Sequence, residues 1–145
     1  LKYSKATNYA LHTMVYLTLA PKGKSVGVDQ LAEVQHLSST YLSKILTKLV
    51  KAGLIESTPG VKGGYSIVNR RQISFLDVIH AIEGQTSLFH CSLEHEGAHN
   101  EDCLIENVMN EAERKMMDEL ANRFIVDIAK EVEAAKKKKD GNHSQ

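Results

Sequence analysis

The chain has 145 residues, of which 42% are hydrophobic and 25% charged, and its two cysteines, Cys91 and Cys103, are too few for a disulfide-framework mini-protein. Its length suffices for one self-supporting core plus an appended helix or arm, no apolar run approaches the roughly 18 residues of a membrane span, and the opening Leu1-Lys2-Tyr3-Ser4-Lys5 lacks the apolar block of a signal peptide, so a cytoplasmic protein with no membrane partner is expected. The 18 basic and 18 acidic residues cancel overall but not locally: residues 1–84 carry a net charge of +5 and residues 85–145 one of −5, so only the first part favours a polyanion.

From Thr7 to Ala20 the apolar residues Ala10, Leu11, Met14, Val15, Leu17 and Leu19 fall close to one face of a helix, which Pro21-Lys22-Gly23 stops. Val28 to Val34 predicts a short second helix with Leu31, Ala32 and Val34 inward, followed by a turn at Gln35-His36-Leu37. Ser38 or Ser39 can cap a third helix, since a short hydroxyl satisfies free N–H groups of a first turn. Leu42, Ile45, Leu46, Leu49 and Val50 give that helix its apolar stripe, and Gly53 follows as a left-handed C-terminal residue.

The period then shortens. Leu54–Thr58 and Gly64–Val68 read as two strands around the tight turn Pro59-Gly60-Val61-Lys62-Gly63. Ser74 to Asp77 resembles a capping box and opens a helix that ends at Gly84. Gln85 to Asp102 has no sustained period and is read as a loop. Leu104 to about Ala135 carries apolar residues every three or four positions, a length that suggests packing on a partner helix. Its seam would use Ile105, Met109, Ala112, Met116 and Leu120. The Lys-rich, polar residues 136–145 are expected to be disordered.

Helix, short helix, turn, third helix and glycine-tipped hairpin, in that order, predict a mainly α fold with a small β-hairpin wing: a winged helix-turn-helix over residues 1–84, a loop over 85–103 and a dimerisation region over 104–135. In such a module the third helix enters the major groove and the hairpin touches a flanking groove. The polar face of the third helix offers Ser39, Thr40, Tyr41, Ser43, Lys44, Thr47, Lys48 and Lys51, whose hydroxyls and amines donate to phosphates and base edges. The wing tip offers Lys62 and bare backbone at Gly60, Gly63 and Gly64. Piece by piece these are an ordinary solvated helix face and hairpin; as one ordered set they favour duplex DNA as the partner.

Tyr41-Leu42-Ser43-Lys44-Ile45-Leu46, Leu49-Val50-Lys51-Ala52-Gly53-Leu54-Ile55 and Gly60-Val61-Lys62-Gly63-Gly64-Tyr65, with Tyr9-Ala10-Leu11 and Ile79-His80-Ala81-Ile82-Glu83-Gly84 on either side, resemble the IscR/NsrR/CymR family of bacterial transcription regulators (the Rrf-two family). The resemblance spans residues 2 to about 130. It implies a homodimer joined through the long C-terminal helix, two winged helices on a pseudo-palindromic operator, and a sensing loop before the long helix that responds to iron–sulfur status, nitric oxide, redox state or a metabolite. It places base-reading positions on Ser39, Thr40, Ser43 and Lys44, a phosphate or packing contact on Tyr41, and the wing contact on Lys62. Repression is the expected mode.

Cluster-binding members of that family place three cysteines in the loop. Cys91 and Cys103 match the outer two, while the middle position falls on Gly97, which cannot ligate; the family's fourth ligand falls on Glu106 or near Asn8. Three readings stay open. Cys91 and Cys103 form a thiol switch, against which seven acids between Gln85 and Glu113 disfavour the thiolate. Alternatively they hold an iron–sulfur cluster or zinc with help from His90, His95, His99 or Glu106, which thiolate and imidazole donors suit. Or the loop is mobile, its cysteines are inert and no cofactor is bound.

The rival classes are an enzyme and a winged-helix protein-interaction module. Gly60 to Gly64 lacks the Gly-Lys-Ser/Thr of a phosphate-binding loop, and the acid pairs Glu94/Glu96 and Glu101/Asp102 fall in an unpatterned loop, so no enzyme is expected. The polar helix face and Lys62 argue against a module without DNA binding.

Overall fold

The first apolar stripe is realised in α1 (Lys5–Leu19), which buries Ala10, Met14 and Leu17 together with Thr7 and Thr13. α2 (Val28–Gln35) buries Leu31 and Ala32. Val34, expected inward, is 48% exposed, because it lies on the far side of Leu31 from Ala32, past the edge of a narrow buried stripe. The structure is a computed structural model that describes residues 2–68, 72–85, 87–90 and 103–143.

His36 ends α2 in the left-handed region at φ 57°, the one non-glycine residue with positive φ among the described residues. The Leu37 N–H donates to the Ala32 carbonyl at 2.9 Å, and the chain reverses into α3 (Ser39–Lys51). Ser38 caps α3, its hydroxyl accepting from the Tyr41 N–H at 3.1 Å. Leu42, Ile45, Leu46 and Leu49 of α3 are buried. At its far end Gly53, at φ +75°, donates to the Val50 carbonyl and Leu54 donates back to that of Leu49, at 2.9 and 3.1 Å. That paired closure absorbs two orphan carbonyls and aims the chain directly into the hairpin.

The hairpin is β1 (Ile55–Thr58) antiparallel to β2 (Gly64–Ile67), in the register Ile55↔Ile67 to Thr58↔Gly64. Val26, just before α2, bridges to Tyr65 through two backbone hydrogen bonds of 2.9 and 2.8 Å. The wing is thereby tied to the helix-turn-helix.

α4 (Phe75–Glu83) opens on the capping box expected from the sequence: the Ser74 hydroxyl accepts from the Asp77 N–H at 3.0 Å, and the Asp77 carboxylate accepts from the Ser74 N–H at 2.9 Å.

The C-terminal region departs from the single long helix expected over 104–135. It forms α5 (Leu104–Ala121) and α6 (Ile125–His143). The break has a tertiary cause. Phe124 bridges to Ser74, with the Phe75 N–H donating to the Arg123 carbonyl at 2.8 Å and the Ile125 N–H to that of Ile73 at 2.9 Å. α6 then returns along α1, burying Ile125 and Ala129, so Ile125 belongs to the same core as α1, α2 and α3. Nor is the segment from Lys136 a disordered tail, since α6 continues through it to His143. Alanine, lysine and glutamate are good helix formers, and Lys137 pairs with Glu133 at 3.8 Å across one turn. No helix among the described residues is long and apolar enough to cross a membrane.

Candidate nucleic-acid interface

Burial of the α3 stripe forces the opposite side of that helix into solvent. Thr40, Lys44, Thr47, Lys48 and Lys51 are exposed, and Ser43 is half-buried beside them. No other described element covers this face. Ser39 differs from its neighbours: it is half-buried, and its hydroxyl donates to the Asp29 carboxylate at 2.6 Å. The bond ties the start of α3 to the start of α2 and so fixes the angle between the two helices. The Thr47 hydroxyl is turned back onto the Ser43 carbonyl at 2.8 Å.

Tyr41 is 39% exposed and meets Tyr9 of α1 edge-on, ring centroids 5.9 Å apart. The ring contact braces α3 against α1.

The wing tip is fully in solvent. Pro59 to Lys62 are exposed, and Val61 presents its whole side chain. Gly60, at φ +101°, makes the turn, with open space where a Cβ would stand. Gly63 and Gly64 have intramolecular reasons to lack a side chain. A Cβ on Gly63 would overlap the Thr58 carbonyl oxygen, and one on Gly64 would stand 2.5 Å from the Val26 carbonyl oxygen. The closest neighbours are thus the wing's own backbone for Gly63 and the segment before α2 for Gly64.

Glu83 is a residue that sequence reasoning left without a role. One of its carboxylate oxygens accepts from the Thr7 hydroxyl at 2.6 Å, the Ser4 N–H at 2.7 Å and the Ser4 hydroxyl at 2.8 Å. A carboxylate at a helix C-terminus opposes that helix's dipole. Here it also meets the first turn of α1, where negative charge is favourable and N–H groups lack partners. The signal available in the sequence is an acid as the last residue before a helix-ending glycine, Glu83-Gly84. The Thr7 hydroxyl, then the Ser4 N–H and hydroxyl, hold the Glu83 carboxyl below the usual carboxylate range; the charge of Lys48 adds to this and desolvation opposes it.

A carboxyl whose pKa falls on folding stabilises the native state above its unfolded value, about 4.3, and the contribution is lost as pH drops through the folded value. Glu83→Gln is therefore expected to cost about 1–2 kcal/mol at pH 7, with the gap to wild type narrowing on acidification below about pH 4.3. Urea melts at pH 7 and at lower pH check this. A gap independent of pH would assign the cost to shape alone.

Beyond α4 the Glu113 carboxylate of α5 accepts from the Leu88 N–H at 3.1 and 3.2 Å and from the Ser87 hydroxyl at 3.3 Å. Of the candidate redox or metal ligands, Cys91, His95 and His99 lie outside the described residues. His90 is exposed. Cys103 and Glu106 are buried together at the start of α5, where the Cys103 sulfur accepts from the Glu106 N–H at 3.5 Å. Glu106 Oε2 is buried with no hydrogen-bond partner among the described residues, an arrangement a bound cation would relieve. Among the described residues no three His, Cys, Asp or Glu side chains converge as a complete metal site.

The residues expected along the partner seam separate into two sets. Ile105 is 68% exposed and Ala112 is exposed, whereas Met109, Met116 and Leu120 are half-buried within the chain. The Tyr3 hydroxyl reaches the Met116 sulfur at 3.9 Å. The open apolar face of α5 therefore comprises Leu104, Ile105, Val108 and Ala112.

Three helices in helix-turn-helix order, with a hairpin directly after the third, define a winged helix-turn-helix protein. The family model for Rrf2, described as an iron-dependent transcriptional regulator, matches residues 3–131. The chain belongs to that family and is a transcriptional regulator rather than an enzyme. The transcriptional regulator NsrR of Shouchella clausii is 29% identical over 125 residues, 84% of each chain. The solved structure of IscR from T. potens aligns at 26% identity and a TM-score of 0.72, covering 93% of this chain and 90% of that one. The oxidised form of CymR from Staphylococcus aureus aligns at 27% identity and a TM-score of 0.68, covering 89% and 96%.

Proposed function

We propose that two copies of the chain, joined through α5, place their α3 helices in successive major grooves of a pseudo-palindromic operator, with each wing on the flanking backbone. The complex represses transcription by occupying promoter DNA. The observation that carries this reading is the joint exposure of the α3 polar face and the wing tip, with α3 held by its buried stripe and the wing by its bridge to Val26. Thr40, Ser43 and Lys44 are the side chains assigned to base edges. Lys48 and Lys62 take phosphates, and the backbone around Gly60 allows close approach to the sugar-phosphate. Ser39 and Tyr41 position the helix.

Lys44→Ala and Lys62→Ala test the placement. Both side chains are exposed, so the fold should be unaffected. Lys62→Ala is expected to weaken binding uniformly across sequences and to flatten the salt dependence by about one unit per lost phosphate contact, or about two per dimer. Lys44→Ala is expected to relax preference at one base pair of each half-site, at about 1–3 kcal/mol. Affinity unchanged in both variants would refute the placement.

We further propose that the segment between α4 and α5 senses redox state or a metal through Cys91 and Cys103. Support comes from the orphaned Glu106 oxygen beside Cys103. Cys103 and Glu106 are the described donors that fit iron or zinc, which thiolate with carboxylate suits. A metal bound there would supply a redox- or occupancy-dependent tie at the first turn of α5. Anaerobic purification followed by metal analysis separates a metal site from thiol chemistry.

A further inference from the structure

Between the wing and the end of α1 lies a groove of about 870 Å³, at which three parts of the chain meet. Ala20 from the end of α1, Ile67 from the wing and Val126 from the first turn of α6, all half-buried, form a hydrophobic floor over the buried Leu17, and Val61 of the wing tip stands at the rim in solvent. Thr18, Ser25, Thr58 and Ser66 add hydroxyls along its sides.

The charged groups are all of one sign. Lys22 and Lys24 of the turn after α1, and Lys62 of the wing, line the groove, and no described residue lining it is acidic. None of the three lysines takes part in an ion pair among the described residues. An apolar floor lined by cations and hydroxyls, at a volume within the range of small-molecule sites, selects a ligand with an apolar body and an anionic head. Phosphodiester backbone would satisfy the lysines but would leave the apolar floor unused.

We propose that this groove binds a small amphipathic organic anion, a carboxylate, sulfonate or phosphate ester carrying an aliphatic or aromatic body. Such a ligand touches the wing, α1 and α6 at once. Lys62 serves both this groove and the proposed phosphate contact, so an occupant's anionic head competes with DNA for it. That consequence rests on the DNA reading above; the binding itself does not.

Titrating the full chain with the dye anilinonaphthalene sulfonate, an anion with an aromatic body, tests the assignment. One saturable site per chain is expected, displaced by decanoate. The double variant Lys22→Glu/Lys24→Glu, at two exposed positions, is expected to weaken the dye about tenfold or more, while the charge-matched Lys138→Glu/Lys139→Glu, exposed near the end of α6 and away from the groove, leaves it unchanged. Absence of saturable binding, equal affinity in the Lys22/Lys24 variant, or an equal loss in the Lys138/Lys139 variant would overturn the proposal. In the last case the dye follows net charge rather than the groove. A circular dichroism melt of the Lys22/Lys24 variant confirms that it is folded.

Discussion

Gly64→Ala is expected to detach the wing and to cost about 3 kcal/mol or more of stability. Gly64 sits at φ +144°, where a side chain is strained, and its missing Cβ would stand 2.5 to 2.9 Å from three backbone atoms of Val26 and Gly27. No rotamer change relieves contact with backbone. Either β2 moves away or the Val26 segment does, and in both cases the two hydrogen bonds between Val26 and Tyr65 are lost. Urea denaturation reads the cost directly. The variant should also bind duplex poorly, because Lys62 is carried on the hairpin that the bridge holds. A variant within about 0.5 kcal/mol of wild type, the usual range for an unconstrained surface change, would show that the close approach is not needed.

The second large effect is expected at the open face of α5. Leu104, Ile105 and Val108 are 79%, 68% and 68% exposed, a cluster of large apolar side chains on one helix. Together with Ala112 they form a stripe over two turns that no described residue covers. In the proposed homodimer this stripe is the seam. Ile105→Asp puts a charge at its centre and should weaken dimerisation by about 3–5 kcal/mol, roughly a hundredfold to several thousandfold. Light scattering should then report a monomer at micromolar concentration where wild type is a dimer. Operator affinity should fall with it, since the second winged helix no longer arrives with the first. Met116, also expected in the seam, is half-buried within its own chain, so Met116→Glu would disturb the fold as well as the partner. An unchanged dimer in Ile105→Asp would move the interface elsewhere.

Local signals carried the helix-turn-helix and the wing. The apolar spacing of Leu42, Ile45, Leu46 and Leu49, the cap at Ser38, the left-handed Gly53 and the Pro59-Gly60 turn all act within a few residues of one another, and each is visible in the chain. The same holds for the capping box at Ser74. What escaped depends on distant pairing. The division between α5 and α6 follows from Phe124 meeting Ser74, fifty positions earlier in the chain. The return of α6 onto α1 follows from the same bridge. Apolar spacing continues through Leu120, Phe124 and Ile128, so periodicity alone joins what tertiary bonding separates. Polar helix-face residues also look alike in sequence. Only the structure distinguishes Ser39, turned onto Asp29, from Thr40 and Lys44, open to solvent.

Glu83 connects these levels. It closes α4, caps α1 through Ser4 and Thr7, and lies within the electrostatic reach of Lys48 on α3. α1 in turn supports α3 through Tyr9 and Tyr41. The end of α4, where the segment proposed to sense a signal begins, is thus linked through α1 to the helix proposed to read DNA.

Binding of duplex DNA by α3 and the wing of a twofold pair leaves its mark on the salt dependence of affinity for a fluorescent duplex, measured by anisotropy. With Lys48 and Lys62 of each of two protomers on phosphates, log K should fall linearly with log salt at a slope of about −3.6, from about −0.9 per contact. Binding that is absent at low salt, or present but indifferent to salt, would contradict the account.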